Sequence, residues 1–331
     1  MIRNIVRHMR GIVLAAILGL SGIALATGGC APTTQKFGPL MTTPSIEDHD
    51  FVMDDGAKLP FRSWGDPDKA RAIIVALHGF NDYSKSWEMP GEWWAKHGIL
   101  TVAYDQRGFG AAPKPGIFPA KGVLARDVET VVGLVRARHP GVPLYLVGES
   151  MGSAVAMLAV ADGLKVDGVV LGAPAVWGWS TMNPFYSVSL TLLAHIVPRD
   201  HVTGSGLGIV ACDNRDVLIE MSRDPLVIKE TRVDAVYALV SLMERASRTA
   251  SLMPERTLLL YGDHDEVVPP NAIESLRKKL PDWVTFQRVQ NGYHMLYRDL
   301  KAEVVWRDVE TWIMEEAPAP VSAGQTTAPA S

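Results

Sequence analysis

Ser150 stands in Gly148-Glu149-Ser150-Met151-Gly152, between the apolar run Leu144–Val147 and the small-residue stretch Ser153–Ala159. A serine hydroxyl is a poor nucleophile until an imidazole takes its proton, and that imidazole needs an acid to orient it. Glycine on both sides permits a sharp strand-to-helix turn, where any side chain would strike the neighbouring strand or helix. A helix starting there points its N–H groups and positive dipole end at the serine, which favours negative charge beside it. The candidate base is His294, in Asn291-Gly292-Tyr293-His294-Met295, between the last predicted strand and the last predicted helix. His264 follows the preceding strand, but its neighbours suit that loop better for the acid. Asp263, Asp265 and Glu266 compete there to accept the other imidazole N–H, fix the tautomer and stabilise the imidazolium. His78-Gly79-Phe80 ends another predicted strand, and the N–H groups of Phe80 and Met151 are candidates to bind an oxyanion, with His78 orienting the loop. The Asp and Arg of Asp105-Gln106-Arg107-Gly108-Phe109-Gly110 read as a buried charge pair that shapes a loop.

These residues need a scaffold that brings loops together, and the chain alternates strand and helix patterns. Asp50–Met53 and Lys58–Trp64 flank a hairpin turn at Asp54-Asp55-Gly56. Ala72–Leu77 is a continuous apolar run, as a strand buried on both faces should be. A helix from Glu92 to His97, a strand Leu100–Tyr104 and an amphipathic helix Val123–Arg138 precede Leu144–Val147 and the Ser150 helix. Val166–Leu171, Thr257–Tyr261 and Thr285–Val289 read as further strands, with helices over Asn271–Leu280 and about Asp299 to Met314. The pattern predicts an α/β fold with one mostly parallel sheet covered on both faces. From about 176 to 253 the patterns are helical only, which predicts a cap inserted between the sixth and seventh strands. Asn183-Pro184 reads as an N-cap and first-turn proline for a helix that is apolar nearly all round. Trp177 just ahead of it, and Leu192 and Leu193 within it, are the cap's candidate substrate-facing residues, and a surface helix so apolar needs a partner, either substrate or bilayer.

At 331 residues and 47% hydrophobic composition the chain can bury a large core, as one α/β domain over 46–316 with tails. Its net charge of −4 and the lack of a basic stripe exclude nucleic acid as the expected partner. No two histidines stand at metal-ligand spacing and there are two cysteines, so neither metal nor cofactor is expected. Residues 1–29 read as an export signal: Arg3, Arg7 and Arg10 precede the uncharged apolar stretch Gly11–Ala26. Ala26-Thr27-Gly28-Gly29-Cys30 resembles the lipobox of bacterial lipoproteins, which implies a diacylated Cys30, although Thr27 stands where that pattern prefers Leu. Ala24-Leu25-Ala26 offers an ordinary cleavage site, and a retained membrane span is a third reading. All three place the folded part in the cell envelope, facing the periplasm or the exterior. Residues 30–45 read as a tether and 317–331 as a disordered tail.

His78-Gly79-Phe80, Asp105 to Gly110, Gly148 to Gly152, Gly262 to Pro269 and Gly292 to Met295 occur in the order seen in the α/β-hydrolase superfamily. The chain resembles its monoacylglycerol lipase and lysophospholipase group, the serine aminopeptidase-like hydrolases, from about Phe51 to Ile313. The resemblance implies that the acid is Asp265, from Gly-x-x-Asp-x-x-Val-Pro, and that 176–253 is the family's cap. It also implies that Leu192–Pro198 corresponds to the apolar cap helix that meets lipid. The expected activity is hydrolysis of lipid carboxylic esters through an acyl-enzyme. A general carboxylesterase or thioesterase, and a non-catalytic lipoprotein binding acyl ligands, are the alternatives; the second would have no need of a Ser/Asp/His set.

Overall fold

The computed structural model describes residues 31–204, 206 and 208–315. The expected signal segment, Cys30 and the tail 317–331 lie outside the described residues. Among the described residues nine strands form one sheet. In chain order they are β1 Ser45–Glu47, β2 Asp50–Val52, β3 Lys58–Trp64, β4 Ala72–Leu77, β5 Ile99–Tyr104, β6 Leu144–Glu149, β7 Gly168–Gly172, β10 Thr257–Gly262 and β11 Thr285–Val289. In space the order is β1-β2-β3-β5-β4-β6-β7-β10-β11, antiparallel at the β1 end and parallel from β5 onward. β8 His201–Val202 and β9 Thr231–Arg232 form a separate two-stranded ladder.

The hydrophobic pattern explains why the sheet is buried on both faces. β4 sends Ile73, Val75 and Leu77 into one core cluster and Ala72, Ile74 and Ala76 into the other, following the period of two of a strand. The first cluster packs under helices α2 Val123–Arg138, α3 Met151–Ala161, α6 Val233–Arg248 and α7 Pro270–Arg277. The second packs under α1 Glu88–Ala95 and α8 Ala302–Met314. Register brings the loop-bearing ends level, with Leu77 beside Gly148 and Glu149 beside Gly172.

Three expectations change. β1 is an added strand, so the helical insertion falls between the seventh and eighth strands of the main sheet rather than the sixth and seventh. Residues 31–45, expected as a tether, lie against the domain. Gln35 is buried and makes a parallel bridge to Pro119, and Phe37 packs under the guanidinium groups of Arg107 and Arg126. Thr33 N–H donates to Asp234 Oδ2 in α6, and Gly38 N–H to Asp55 Oδ2. Composition hid this because backbone groups, one glutamine side chain and a single aromatic ring make the contacts. Finally, Arg107 pairs not with Asp105 but with Asp55 and Asp127, each at 2.7 Å, and all three side chains are buried. Asp105 instead accepts the N–H groups of Ser84 and Ala111.

The insertion carries α4 Pro184–Ile196, α5 Arg215–Arg223 and α6. Asn183 caps α4 by accepting from Phe185 N–H, as its position before a proline predicts. α6 packs on the Ser150 helix α3 and carries α4 above it. Only Ala194 of α4 is buried, while Phe185, Val188, Leu192 and Ile196 form an exposed apolar row one helical face long.

Candidate active site

β6 ends just before Ser150, and α3 begins at the residue after it. Ser150 sits at φ 52°, ψ −114°, a region that costs a non-glycine residue about 1–3 kcal/mol and survives only where the surroundings enforce it. Ser150 N–H donates to Gly172 O at 2.9 Å, and Ser150 O accepts from Ala154 and Ala175. A Cβ on Gly152 would lie 2.0 Å from Leu77 O, and one on Gly148 would lie 2.4 Å from Ser153 N. Both glycines are therefore required by contact with backbone, and the serine is thrust out of the turn.

The loops after β10 and β11 bring the partners. His294 Nε2 lies 2.9 Å from Ser150 Oγ, and its Nδ1 lies 2.8 Å from Asp265 Oδ2. A carboxylate can only accept, so Nδ1 carries the proton and Nε2 is left to accept from the serine hydroxyl. Burial pulls the His294 pKa down, but the charge and hydrogen bond of Asp265, followed by the charges of Glu149 and Asp299, leave it above its ordinary value. Asp265 Oδ1 accepts from Val267 N–H and Val268 N–H at 2.8 and 2.9 Å, which fixes the carboxylate plane. The other two candidate acids point elsewhere. Asp263 meets Arg288 at 3.5 Å, and Glu266 accepts from Val210 N–H at 2.9 Å.

Two backbone donors stand beside the serine. A Cβ on Gly79 would come within 3.6 Å of Ser150 Cβ, so the loop after β4 adjoins the hydroxyl. Among the described residues the N–H groups of Phe80 and of Met151, the first residue of α3, donate to no protein acceptor. His78 orients this loop from a buried position: its Nδ1–H donates to Gly79 O and its Nε2 accepts from Gln106 N–H. Burial lowers its pKa, in keeping with a neutral ring whose Nε2 is an acceptor. Such an arrangement can move a proton from the hydroxyl to the imidazole and hold an oxyanion on two N–H groups.

The cap residues are less gathered. Trp177 is half-buried against the main core, Leu193 is half-buried, and Leu192 is 55% exposed. Sequence reasoning missed two groups near the site. Cap residues 211–213 are fastened to the His294 segment: Met295 N–H donates to Ala211 O, Leu300 N–H to Asp213 Oδ1, and Asp213 N–H to Asp299 Oδ1, whose other oxygen accepts from Tyr293 N–H at 2.7 Å. The second group is the ion cluster Asp82, Glu149 and Arg298, buried beside the site. Its only signals were Glu149 inside the serine turn and an arginine shortly after His294. Cys212, Asp213 and Asp299 bring three potential metal donors together. The Asp299 oxygens already accept N–H groups, and burial pushes the Cys212 thiol up to about 12, which suits neither to a cation.

The chain is similar to proteins whose names concern acylglycerols. It is 23% identical over 281 residues to a monoacylglycerol lipase of Mycolicibacterium smegmatis, covering 83% of this chain and 99% of that one. It is 26% identical over 311 residues to a monoglyceride lipase of Homo sapiens, covering 89% and 99%. The crystal structure of a soluble variant of monoglyceride lipase from Saccharomyces cerevisiae, in complex with a substrate analog, superposes with a TM-score of 0.70 at 18% identity. That likeness covers 85% of this chain and 98% of that one, and it shows a shared α/β-hydrolase fold. The model of the family described as serine aminopeptidase, S33, matches residues 68–301, a span that takes in the elbow, both partner loops and the insertion. This chain is thus a hydrolase belonging to the serine aminopeptidase, S33, family.

Proposed function

We propose that the protein hydrolyses carboxylic esters of lipid type, a monoacylglycerol or a lysophospholipid, through an acyl-enzyme on Ser150. The observation that carries this is the hydrogen-bonded line Ser150–His294–Asp265 beside the two unengaged N–H groups of Phe80 and Met151. Ser150 Oγ attacks the ester carbonyl as His294 Nε2 takes the hydroxyl proton. The oxyanion settles on the two N–H groups, each such donor being worth roughly 3–4 kcal/mol in the transition state. The imidazolium, held by Asp265, returns the proton to the alcohol oxygen, the C–O bond breaks and the alcohol leaves. Water then attacks the acyl-enzyme with His294 again as base, releasing the fatty acid and restoring the serine.

The lipid preference draws on the names of the relatives and on the apolar row of α4. Among the described residues no helix is long and apolar enough to cross a membrane. In this reading membrane contact runs through that row and through an N-terminal anchor at Cys30, in a protein exported to the cell envelope. Ser150→Ala tests the core of the reading: labelling by a fluorophosphonate probe should vanish while the thermal melt is kept, and surviving labelling would move the nucleophile elsewhere. A panel of esters and thioesters of rising chain length tests the substrate class, with Leu192→Ser/Ile196→Ser losing long-chain or vesicle-presented esters selectively. Equal losses on short soluble esters would favour a general carboxylesterase or thioesterase. Metabolic fatty-acid labelling that is absent from Cys30→Ser but present in the wild type tests the anchor.

A further inference from the structure

One guanidinium joins three of the segments that meet at Ser150. Arg298, just after His294 in the chain, donates from Nη2 to Glu149 Oε2 at 3.1 Å, and the same Nη2 forms an ion pair with Asp82 Oδ2 at 2.7 Å. Asp82 lies on the loop that presents Phe80, and Glu149 immediately precedes Ser150. The three side chains are 8%, 6% and 4% exposed, in the order Arg298, Asp82, Glu149. Arg298 Nη1 faces the Met221 sulfur, while Arg298 Nε and Glu149 Oε1 have no partner among the described residues. Two carboxylates against one guanidinium leave one negative charge in excess, in a place where water and salt screen poorly. Its half-satisfied carboxylate belongs to the residue next to the nucleophile.

We propose that Glu149 is a positioning residue for the reaction, its incompletely neutralised carboxylate acting through His294 to favour the imidazolium that forms when Ser150 gives up its proton. This rests on the Ser150–His294–Asp265 reading and adds a second carboxylate to it. Other charged groups face the same imidazole: Asp265 from the loop after β10, and Asp299 from its own segment. His78 faces the cluster from the loop after β4, and burial keeps its ring neutral. The influence between Glu149 and His294 is mutual. Burial pushes the Glu149 carboxyl up, and Arg298 and then His294 pull against it. The direct bond to Arg298 favours the ionised form of Glu149 against that burial.

The test is the pH dependence of kcat/KM on a p-nitrophenyl ester for the wild type, Glu149→Gln, Glu149→Asp and Asp82→Asn. A base must be neutral to work, so the acid limb reports the His294 pKa in the free enzyme. Glu149→Gln should move that limb down by about half to one unit and lower the plateau about three- to ten-fold. Glu149→Asp, which keeps the charge, should leave the limb in place whatever it does to turnover. Asp82→Asn, which leaves Arg298 to neutralise Glu149 alone, should move the limb down by less than Glu149→Gln does. Asp299, which burial raises to about 6, titrates nearby but is common to all four proteins. A limb unmoved in Glu149→Gln, or moved as far in the charge-keeping Glu149→Asp, would overturn the proposal and leave the cluster a structural tie. Circular dichroism checks folding, and Glu149→Met replaces the Gln variant if the buried amide prevents it. Failure of the underlying reading looks different, since Ser150→Ala would then retain activity.

Discussion

Replacing Asp265 by Asn tests the site at its least forgiving atom. Asp265 Oδ1 accepts two backbone N–H groups, from Val267 and Val268, and Oδ2 accepts His294 Nδ1–H. In the Asp265→Asn variant the side-chain carbonyl oxygen must stay on the two N–H groups, because turning the amide would set donors against donors. The NH₂ group then faces Nδ1 and demands an acceptor there. The imidazole answers by carrying its proton on Nε2, and the Ser150 hydroxyl meets a donor instead of a base. The wrong tautomer in such a line costs on the order of 10⁴ in kcat, about 5.4 kcal/mol of transition-state stabilisation. Asp263→Asn is the matched control from the same loop: its pair with Arg288 at 3.5 Å has side chains 32% and 56% exposed, Asp263 and Arg288 respectively. Such a pair is worth about 0–1 kcal/mol, so turnover should change less than about five-fold. Steady-state hydrolysis of a p-nitrophenyl ester and the rate of fluorophosphonate labelling measure both variants. Asp265→Asn keeping more than about a tenth of wild-type turnover, or Asp263→Asn losing as much as expected for Asp265→Asn, would refute the reasoning.

Three further outcomes follow from the geometry. The acid limb of kcat/KM should lie above about 6.5, because the carboxylates around His294 outweigh its burial; activity falls as pH drops through that raised value, and a limb below about 6 would contradict it. Arg107→Ala strips the partner from Asp55 and Asp127, both buried, and should cost about 3–5 kcal/mol in a urea melt, with a loss under about 1 kcal/mol speaking against a buried triad. Gly152→Ala would drive a Cβ to 2.0 Å from Leu77 O, so the variant should be insoluble or unlabelled by the fluorophosphonate probe, and normal labelling would mean that the turn is wider than described.

Much of this was legible because burial and turn chemistry leave local marks. The uninterrupted apolar run Ala72–Leu77 is one whole strand, and β3, α2 and β11 keep the limits that their patterns suggest. Ser150 was visible through its two glycines, each of which meets backbone within 2.4 Å of where a Cβ would stand. His294 was visible from its place after the last strand, while choosing Asp265 over its neighbours needed the family's motif order. The ion cluster left no comparable mark: Arg298 and Glu149 are 149 positions apart, and charge pairing has no period. Helix α5 carries Val217, Leu218, Ile219 and Met221 yet buries none of its residues, so a hydrophobic stripe would not have pointed to its fastening through Lys85–Glu220 and Tyr83–Asp224. The segment 31–45 failed for the opposite reason, since Thr, Pro and Gln say nothing about the backbone N–H groups that do the holding.

That N-terminal segment has a consequence for the order of assembly. Thr33 bonds to a residue 201 positions later, and Gln35 bridges to Pro119. The part of the domain that leaves the ribosome first therefore finds its last partner only when α6 has been made. Contacts of such long sequence separation are late in folding, because the loop they close costs entropy before they return anything. A shortened chain starting at residue 46 would look harmless by composition. It would nonetheless leave Asp234 without its Thr33 donor, Arg107 and Arg126 without the Phe37 ring, and Phe118 O and Ala120 N–H without Gln35. The cap and the hydrolase body would then be joined without this late-forming clasp, and such a chain should refold about as fast as the full one but open sooner.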